Sequence, residues 1–158
     1  YNALRKGEYQ IIHFNGHSCI NDKRPYQSSL VLHDTDITTM ELARTIGAKP
    51  PVLCFINACE TAKSVQNAQK KSRLDVYSLA RAFLDTGAYL LGSRWKIDDR
   101  TSASFARHFY TSLIQEGKSI GKAIHEARKV SKQEVPDDAF GWASYVYYGD
   151  PRVCFRRL

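Results

Sequence analysis

A run of five apolar residues, VLCFI at Val52 to Ile56, restricts the possible folds of this chain more than any other feature. Pro50 and Pro51 end any helix in front of it. Because apolar and polar residues do not alternate within the run, it predicts a strand that is buried on both faces, as in the centre of a parallel sheet. Such sheets are typical of α/β proteins, in which helices cover both faces.

The segments around this run alternate between strand-like and helix-like patterns. The predicted strands are Glu8 to Phe14, which leads into a turn-like NGHS, then Ser29 to His33, Ala88 to Gly92 and Ser144 to Tyr148. The predicted helices are one capped by Thr38 and Glu41 and ended by Gly47, one from Val76 to Gly87, one from Phe105 to Gly117, and one from Ile120 to Val130. Together they predict an α/β fold, a three-layer α/β/α sandwich around a mainly parallel sheet.

The composition is that of one soluble globular domain. The 158 residues are 43% hydrophobic and 25% charged, which excludes wholesale disorder and coiled coil. No apolar run approaches the ~20 residues of a membrane helix, so no membrane partner is expected. The 4 cysteines lack CxxC spacing, which favours reduced thiols and a cytoplasmic protein. A net charge of +7 is scattered without interleaved aromatic residues, so direct nucleic-acid binding is not expected.

Two polar residues that follow predicted strands could carry out nucleophilic catalysis. His17 comes after the strand that ends at Phe14, and Cys59 comes after the strand that ends at Ile56. In open α/β sheets, the loops beyond the carboxyl ends of the strands converge on one crevice, so we expect the imidazole and the thiol to face each other. A nearby imidazolium lowers the pKa of a thiol, and the resulting thiolate can attack a carbonyl.

The same reasoning assigns the other groups of such a site. A helical turn beginning at Glu60 would further stabilise the thiolate, although the charge of Glu60 itself opposes this. The backbone N–H groups of Cys59 and of Ser18 or Gly16 would bind the oxyanion, and His17 would protonate the leaving amine. No metal ion or other cofactor is expected.

Structural alternatives exist for the other cysteines and histidines. Cys54 lies inside the apolar run and is expected to be a packed residue. His13 alternates with Phe14 in a strand, which favours a buried or supporting histidine. Four residues could be ligands of a zinc ion, namely His13, His17, Cys19 and Cys59. Structural zinc sites use close pairs of ligands, however, and a second close pair is missing here, so no metal is expected.

Two motifs 42 residues apart, HFNGHS and FINACET, resemble the histidine and cysteine motifs of caspase-like cysteine peptidases. The resemblance is stronger to the CHAT branch (caspase HetF associated with TPRs), whose GH, AC, E and T pattern is matched by Gly16, His17, Ala58, Cys59, Glu60 and Thr61. Segments similar to the family's later blocks follow in the same order, namely SRWKIDD, HFYTSLIQEGKSIGKAIHEAR and WASYVYYGDP. The resemblance covers nearly the whole chain.

This resemblance implies a caspase-like domain over residues 1–158 with the activity of a cysteine endopeptidase on a protein substrate. It implies that Cys59 is the nucleophile and His17 the general acid/base. Caspase-like sheets place two strands and a helix before the histidine strand, for which this chain has no room. We therefore expect those strands in an upstream segment or another chain, because the edge of the first strand would otherwise be unpaired.

The SRWKIDD segment resembles the loop that walls the specificity pocket in this clan, where separases have an aspartate that faces a basic side chain. The similarity assigns substrate binding to Ser93, Trp95, Asp98 and Asp99. A carboxylate at the base of a pocket would select Arg or Lys. The alternative is that Asp98 and Asp99 cap a helix that starts near Thr101.

The resemblance also implies regulation. Residues 63–73 follow Cys59 where an activation or substrate-binding loop would lie. CHAT domains resemble effectors controlled by attached or partner modules such as TPR repeats, often in bacterial defence or cell-death pathways. The alternative is a catalytically inactive scaffold of the same fold that binds protein or nucleic acid.

Overall fold

The computed structural model describes residues 4, 6–19, 21, 24, 27–60 and 83–155, and of residues 59 and 60 it describes the backbone. The strands of this part of the chain are β1 (Ile11–Cys19), β2 (Ser29–Val31), β3 (Asp36–Thr38), β4 (Leu53–Glu60), β5 (Tyr89–Ser93) and β6 (Tyr145–Tyr148). Its α-helices are α1 (Thr39–Gly47), α2 (Asp99–Tyr110) and α3 (Ile120–Glu134). The strands form one six-stranded sheet in the order β3-β2-β1-β4-β5-β6.

The centre of the sheet is parallel. β1 pairs with β4 in parallel register, from Ile11 opposite Leu53 to Ser18 opposite Glu60, and β4 pairs in parallel with β5. β2 and β3 form an antiparallel hairpin, and β2 runs antiparallel to β1. The predicted α/β class with a caspase-like sheet is therefore confirmed, and the hairpin makes the sheet mixed.

Two predicted strand ends are wrong. The NGHS segment, predicted as a turn, is part of β1, and the NACE segment continues β4 to Glu60. Neither segment has a strand-like pattern in the sequence, but each is paired with the other along its length. The outer edge of β1, expected to be unpaired without upstream strands, is paired with β2 at His17, Ser18 and Cys19.

The chain divides into two compact units, the first of which comprises residues 1–95 and 146–148. In this unit α1 begins with the predicted capping box. The Thr38 hydroxyl accepts a hydrogen bond from the Glu41 N–H, and the Glu41 carboxylate accepts one from the Thr38 N–H. Leu42 and Ile46 on the buried face of α1 join a core whose other buried members are Leu30, Ile37, Cys54, Ile56, Phe83, Ala88 and Leu90.

The second unit comprises residues 96–145 and 149–158. It holds α2, whose N-cap is Asp98, a π-helical stretch at Thr111–Gln115, and α3. The aromatic ring of Phe105 stacks on Tyr145 with 3.7 Å between the ring centroids. Both helices predicted for this part of the sequence are confirmed, and α2 begins six residues before Phe105, where the predicted helical pattern begins.

Some predicted elements cannot be compared with the structure. The loop predicted at 63–73 and most of the helix predicted to end at Gly87 lie outside the described residues. Conversely, β3 has no counterpart in the prediction, because a three-residue strand with one apolar side chain carries little sequence signal. No helix within the described ranges is long and apolar enough to cross a membrane.

Candidate active site

His17 and Cys59 are neighbours on two parallel strands. The β1–β4 register makes them Cα partners, although 42 residues separate them along the chain. Because adjacent strands lie about 4.8 Å apart, both residues belong to one small region of the sheet. The predicted loop positions are wrong, since both residues lie within strands. The catalytic roles assigned to the two side chains remain predictions.

A small residue precedes each of these two positions. Gly16 and Ala58 are Cα partners, and Ala58 packs against the hydrophobic core. The ring of Phe14 lies so close to Gly16 that a Cβ there would be 2.9 Å from it. In the GH dipeptide, a position where packing against Phe14 favours glycine is thus followed by the exposed His17.

The face of β1 that carries His17 is exposed. His13, Asn15 and His17 alternate along this face and all three are exposed. His13 was predicted to be a buried or supporting histidine. It is not buried, but its ring stacks on Phe55, with 4.3 Å between the ring centroids and 6° between the planes, which agrees with a supporting role. This one-sided contact partly desolvates the imidazole and lowers the pKa of His13.

A second polar pair lies two residues before His17 and Cys59, on the same face of the two strands. Asn15 and Asn57 are Cα partners, and Asn57 Nδ2 donates a hydrogen bond of 3.0 Å to Asn15 Oδ1. This pair was not among the predicted site residues. A signal was present, because each asparagine stands two residues before a predicted catalytic residue, in NGH and in NAC.

Two of the residues predicted to supply oxyanion donors, Ser18 and Cys59, have different surroundings. Ser18 is 5% exposed and its backbone lies between β2 and β4. Cys59 lies beyond the β4–β5 register, which ends at Ile56 opposite Gly92. In these registers Cys59 therefore has a strand partner on one side, whereas Ser18 has partners on both. A helical turn that begins at Glu60, which would have further stabilised the thiolate, is not present, since Glu60 is the last residue of β4.

The four residues assigned to substrate binding are divided between the two units. Ser93 ends β5 and Trp95, which follows it, is exposed. Asp98 caps α2, and hydrogen bonds from the backbone N–H and the guanidinium of Arg100 lower the pKa of Asp98. The capping alternative is therefore confirmed for Asp98. Asp99 is the first residue of α2, and within the described part of the chain no donor contacts its carboxylate.

The zinc alternative gains no support. Among the described residues no group of three or more His, Cys, Asp or Glu could hold a metal ion. His13 and His17 lie four residues apart on one strand, a span of about 13 Å, which is too long for two ligands at about 2 Å from one zinc ion.

The comparison with known families agrees with this geometry. Residues 1–150 match the CHAT domain family model. No curated protein matches the chain. The match covers almost the entire sequence, including both β1 and β4. The chain therefore belongs to the CHAT domain family, a caspase-like family of the cysteine-peptidase type.

Proposed function

We propose that this chain is the catalytic part of a cysteine endopeptidase in which Cys59 is the nucleophile and His17 the general acid/base. The β1–β4 register, which makes these two residues Cα partners, is the observation that supports the proposal most strongly. The exposure of His17 supports it further, because an acid/base group must reach both the substrate and water.

The proposed reaction has two steps. The Cys59 thiolate attacks the scissile carbonyl carbon, and the C–N bond then breaks as the His17 imidazolium protonates the leaving amine. A thioester to Cys59 remains. In the second step neutral His17 takes a proton from water, which attacks the thioester and releases the carboxylic acid, while the thiolate and imidazolium are restored.

Both steps pass through a tetrahedral oxyanion. We propose the backbone N–H of Cys59 as its first donor, because Cys59 lies beyond the part of β4 that is in register with β5. Ser18 remains the second predicted donor. Its N–H lies in a strand with neighbours on both sides, so its participation requires a local shift of β1 or β2.

For substrate selection we propose that Asp99 attracts Arg or Lys before the cleaved bond. The carboxylate of Asp99 is exposed, whereas that of Asp98 is engaged in capping α2. Ser93 and Trp95 remain the other residues that the resemblance assigns to substrate binding. A panel of fluorogenic peptides tests this: Asp99→Asn should lower kcat/KM about 10- to 100-fold for Arg and Lys peptides and leave apolar ones unchanged. Equal cleavage of all peptides by the wild type would contradict it.

Regulation belongs to the same proposal. We propose that an upstream half of the caspase-like domain and a helical-repeat module such as TPR, in the same chain or a partner, switch the protease on in a bacterial defence or cell-death response. The three described cysteines Cys19, Cys54 and Cys154 are free, which agrees with a reducing compartment such as the cytoplasm.

A binding scaffold is the second candidate, and one observation favours it. Exposed basic residues follow one another along α3 at intervals of three or four, which places them on one side of the helix. They are Lys122, His125, Lys129 and Lys132. Binding of a polyanion to this side would weaken steeply with salt, whereas peptide hydrolysis would not follow that slope.

The experiment that tests the proposed function is cleavage of a protein substrate library by the complete protein with its activating partner. Cys59→Ala and His17→Ala should each abolish cleavage, while Cys154→Ala, which removes an exposed cysteine, should leave it unchanged. Cleavage that persists in Cys59→Ala would overturn the proposal, and so would a wild type that cleaves nothing.

A further inference from the structure

The asparagine pair, Asn15 and Asn57, has no role in the reaction as described so far. Its hydrogen bond joins the two strands that carry His17 and Cys59, and its members are separated by the same 42 residues along the chain. Asn57 is 7% exposed, while Asn15 is exposed. The pair thus extends from the protein interior to the surface of β1.

Apolar packing does not account for an asparagine at position 57. Asparagine is depleted in strands, and a buried amide is unfavourable unless it is hydrogen-bonded. The preceding part of β4, from Leu53 to Ile56, is apolar throughout and no more than 3% exposed. An apolar side chain would continue that pattern at Asn57, so the amide points to a role other than packing.

The position of the pair indicates that role. Residues i and i+2 of a strand are on the same face and about 6.6 Å apart, so the pair occupies the position next to His17 and Cys59 in the β1–β4 register. A hydrogen bond has a narrow range of length and angle. It therefore limits how far β1 can slide or separate from β4 immediately before the two predicted catalytic residues.

We infer that Asn15 and Asn57 are positioning residues that set the distance between His17 and Cys59, an inference that rests on the function proposed above. Catalytic geometry must be held to within about 0.5 Å, and a misplacement of 1 Å can cost about 100-fold in rate. The directional bond between the two amides supplies that restraint at the exposed side of β1.

The pair that precedes the two asparagines in the β1–β4 register, His13 and Phe55, provides a control. His13 and Phe55 are also Cα partners on the same face, one step further from His17 and Cys59. Their stacked rings hold the strands without a directional donor and acceptor. Phe55→Leu should therefore lower stability and leave the reactivity of Cys59 unchanged.

Two substitutions to aspartate, which is similar in size to asparagine, have opposite effects on the hydrogen bond between positions 15 and 57. Asn15→Asp keeps the oxygen that accepts from Asn57, so the bond survives. Asn57→Asp removes the donor and places two oxygens against each other, so the bond is lost. Each variant places a carboxyl group at the same step of the register, buried at position 57 and exposed at position 15. Asn15→Ala breaks the bond without adding a carboxyl group, so it shows how much of the difference between the two variants reports the bond. Asn15→Ala removes the acceptor at an exposed position and serves if Asn57→Asp does not fold.

The readout is the rate at which iodoacetamide alkylates Cys59 in the full chain, followed by peptide mapping across a pH series, with Cys154 as the internal reference. Alkylation requires the thiolate, whose stabilisation depends on the distance to His17. We expect Asn57→Asp and Asn15→Ala to slow alkylation of Cys59 about 10- to 100-fold near neutral pH and Asn15→Asp to slow it far less. The same order is expected for kcat of peptide cleavage, with KM little changed.

Lowering the pH should narrow the difference between the two aspartate variants. A carboxyl group buried at position 57 against an oxygen has a raised pKa, and once protonated it donates the missing hydrogen bond. The ratio of Cys59 alkylation rates, Asn57→Asp over Asn15→Asp, should therefore rise as the pH falls. A purely structural loss of folding would not recover in this way.

Two outcomes would overturn the inference, and they are distinguishable. If wild-type Cys59 reacts faster than Cys154 but equally fast in Asn15→Asp, Asn57→Asp and Asn15→Ala, the asparagine pair has no positioning role while the proposed function stands. If wild-type Cys59 reacts no faster than Cys154, the proposed function fails, and the positioning role fails with it.

Discussion

The strands β1 and β4, which carry His17 and Cys59, differ in how much of their surface is buried. β4 is buried on both faces along most of its length, whereas β1 packs one face against the core and exposes the other. The buried residues of β4 are Leu53, Cys54, Phe55, Ile56 and Asn57, and the exposed residues of β1 are His13, Asn15 and His17. One strand is thus a rigid support and the other is accessible to solvent.

This difference would suit the proposed active site. The proposed nucleophile Cys59 would follow directly on a segment of β4 that is held from both sides, which limits its freedom to move, while the proposed acid/base group His17 could exchange protons with water on an exposed face. The difference also explains why the polar residues of β1 are tolerated in a sheet, since their polar atoms reach solvent.

The largest expected effect is a loss of stability when either member of the His13–Phe55 pair is replaced by alanine in a single variant. Phe55→Ala empties a fully buried site and should lower the free energy of unfolding by about 3–5 kcal/mol. His13→Ala removes the ring stacked on it but leaves an exposed position, so the loss should stay below about 1 kcal/mol. Urea unfolding measures both, and equal losses would contradict the contrast between the strands.

A smaller effect is expected from the cysteines of the two strands. Cys54→Ser buries a hydroxyl in the apolar core and should cost about 1–3 kcal/mol, whereas Cys19→Ser in β1 should change stability by less than about 0.5 kcal/mol. Burial also raises the pKa of the Cys54 thiol to about 12. Native alkylation should therefore modify Cys154 and spare Cys54 until the protein unfolds, and rapid modification of Cys54 would show that β4 is not held as described.

The smallest expected effect concerns pH. Desolvation against Phe55 lowers the pKa of His13 in the folded state, so the unfolded chain binds more protons below the ordinary histidine pKa of about 6.5. The stability contributed by neutral His13 is present above that pH and is lost as the pH falls through its folded-state pKa. His13→Phe keeps the stack without titrating, so its urea midpoint should fall less on acidification. Parallel pH profiles would contradict this assignment.

Much of the first unit follows from local sequence patterns. The apolar run before Ile56 predicts a strand buried on both faces, and Thr38 with Glu41 predicts the start of α1, because burial and capping leave direct marks in the sequence. The pairing of His17 with Cys59 follows less directly, from the rule that loops after parallel strands converge.

What the sequence does not predict depends on tertiary pairing. β1 and β4 extend through NGHS and NACE because each is paired with the other, and no local pattern marks that extension. The sequence does not predict the exposure of His13 either, since alternation along a strand identifies two faces without showing which of them is buried. The asparagine pair joins residues 42 apart, so its bond becomes visible only with the register known.

The central claim is that His17 and Cys59 act on each other. It is tested most directly by the pH profile of Cys59 alkylation in the wild type, in His17→Ala and in His13→Ala, which removes the imidazole four residues earlier on the same face. We predict that His17→Ala shifts the onset of alkylation to higher pH while His13→Ala matches the wild type. Superimposable profiles for the wild type and His17→Ala would contradict the claim.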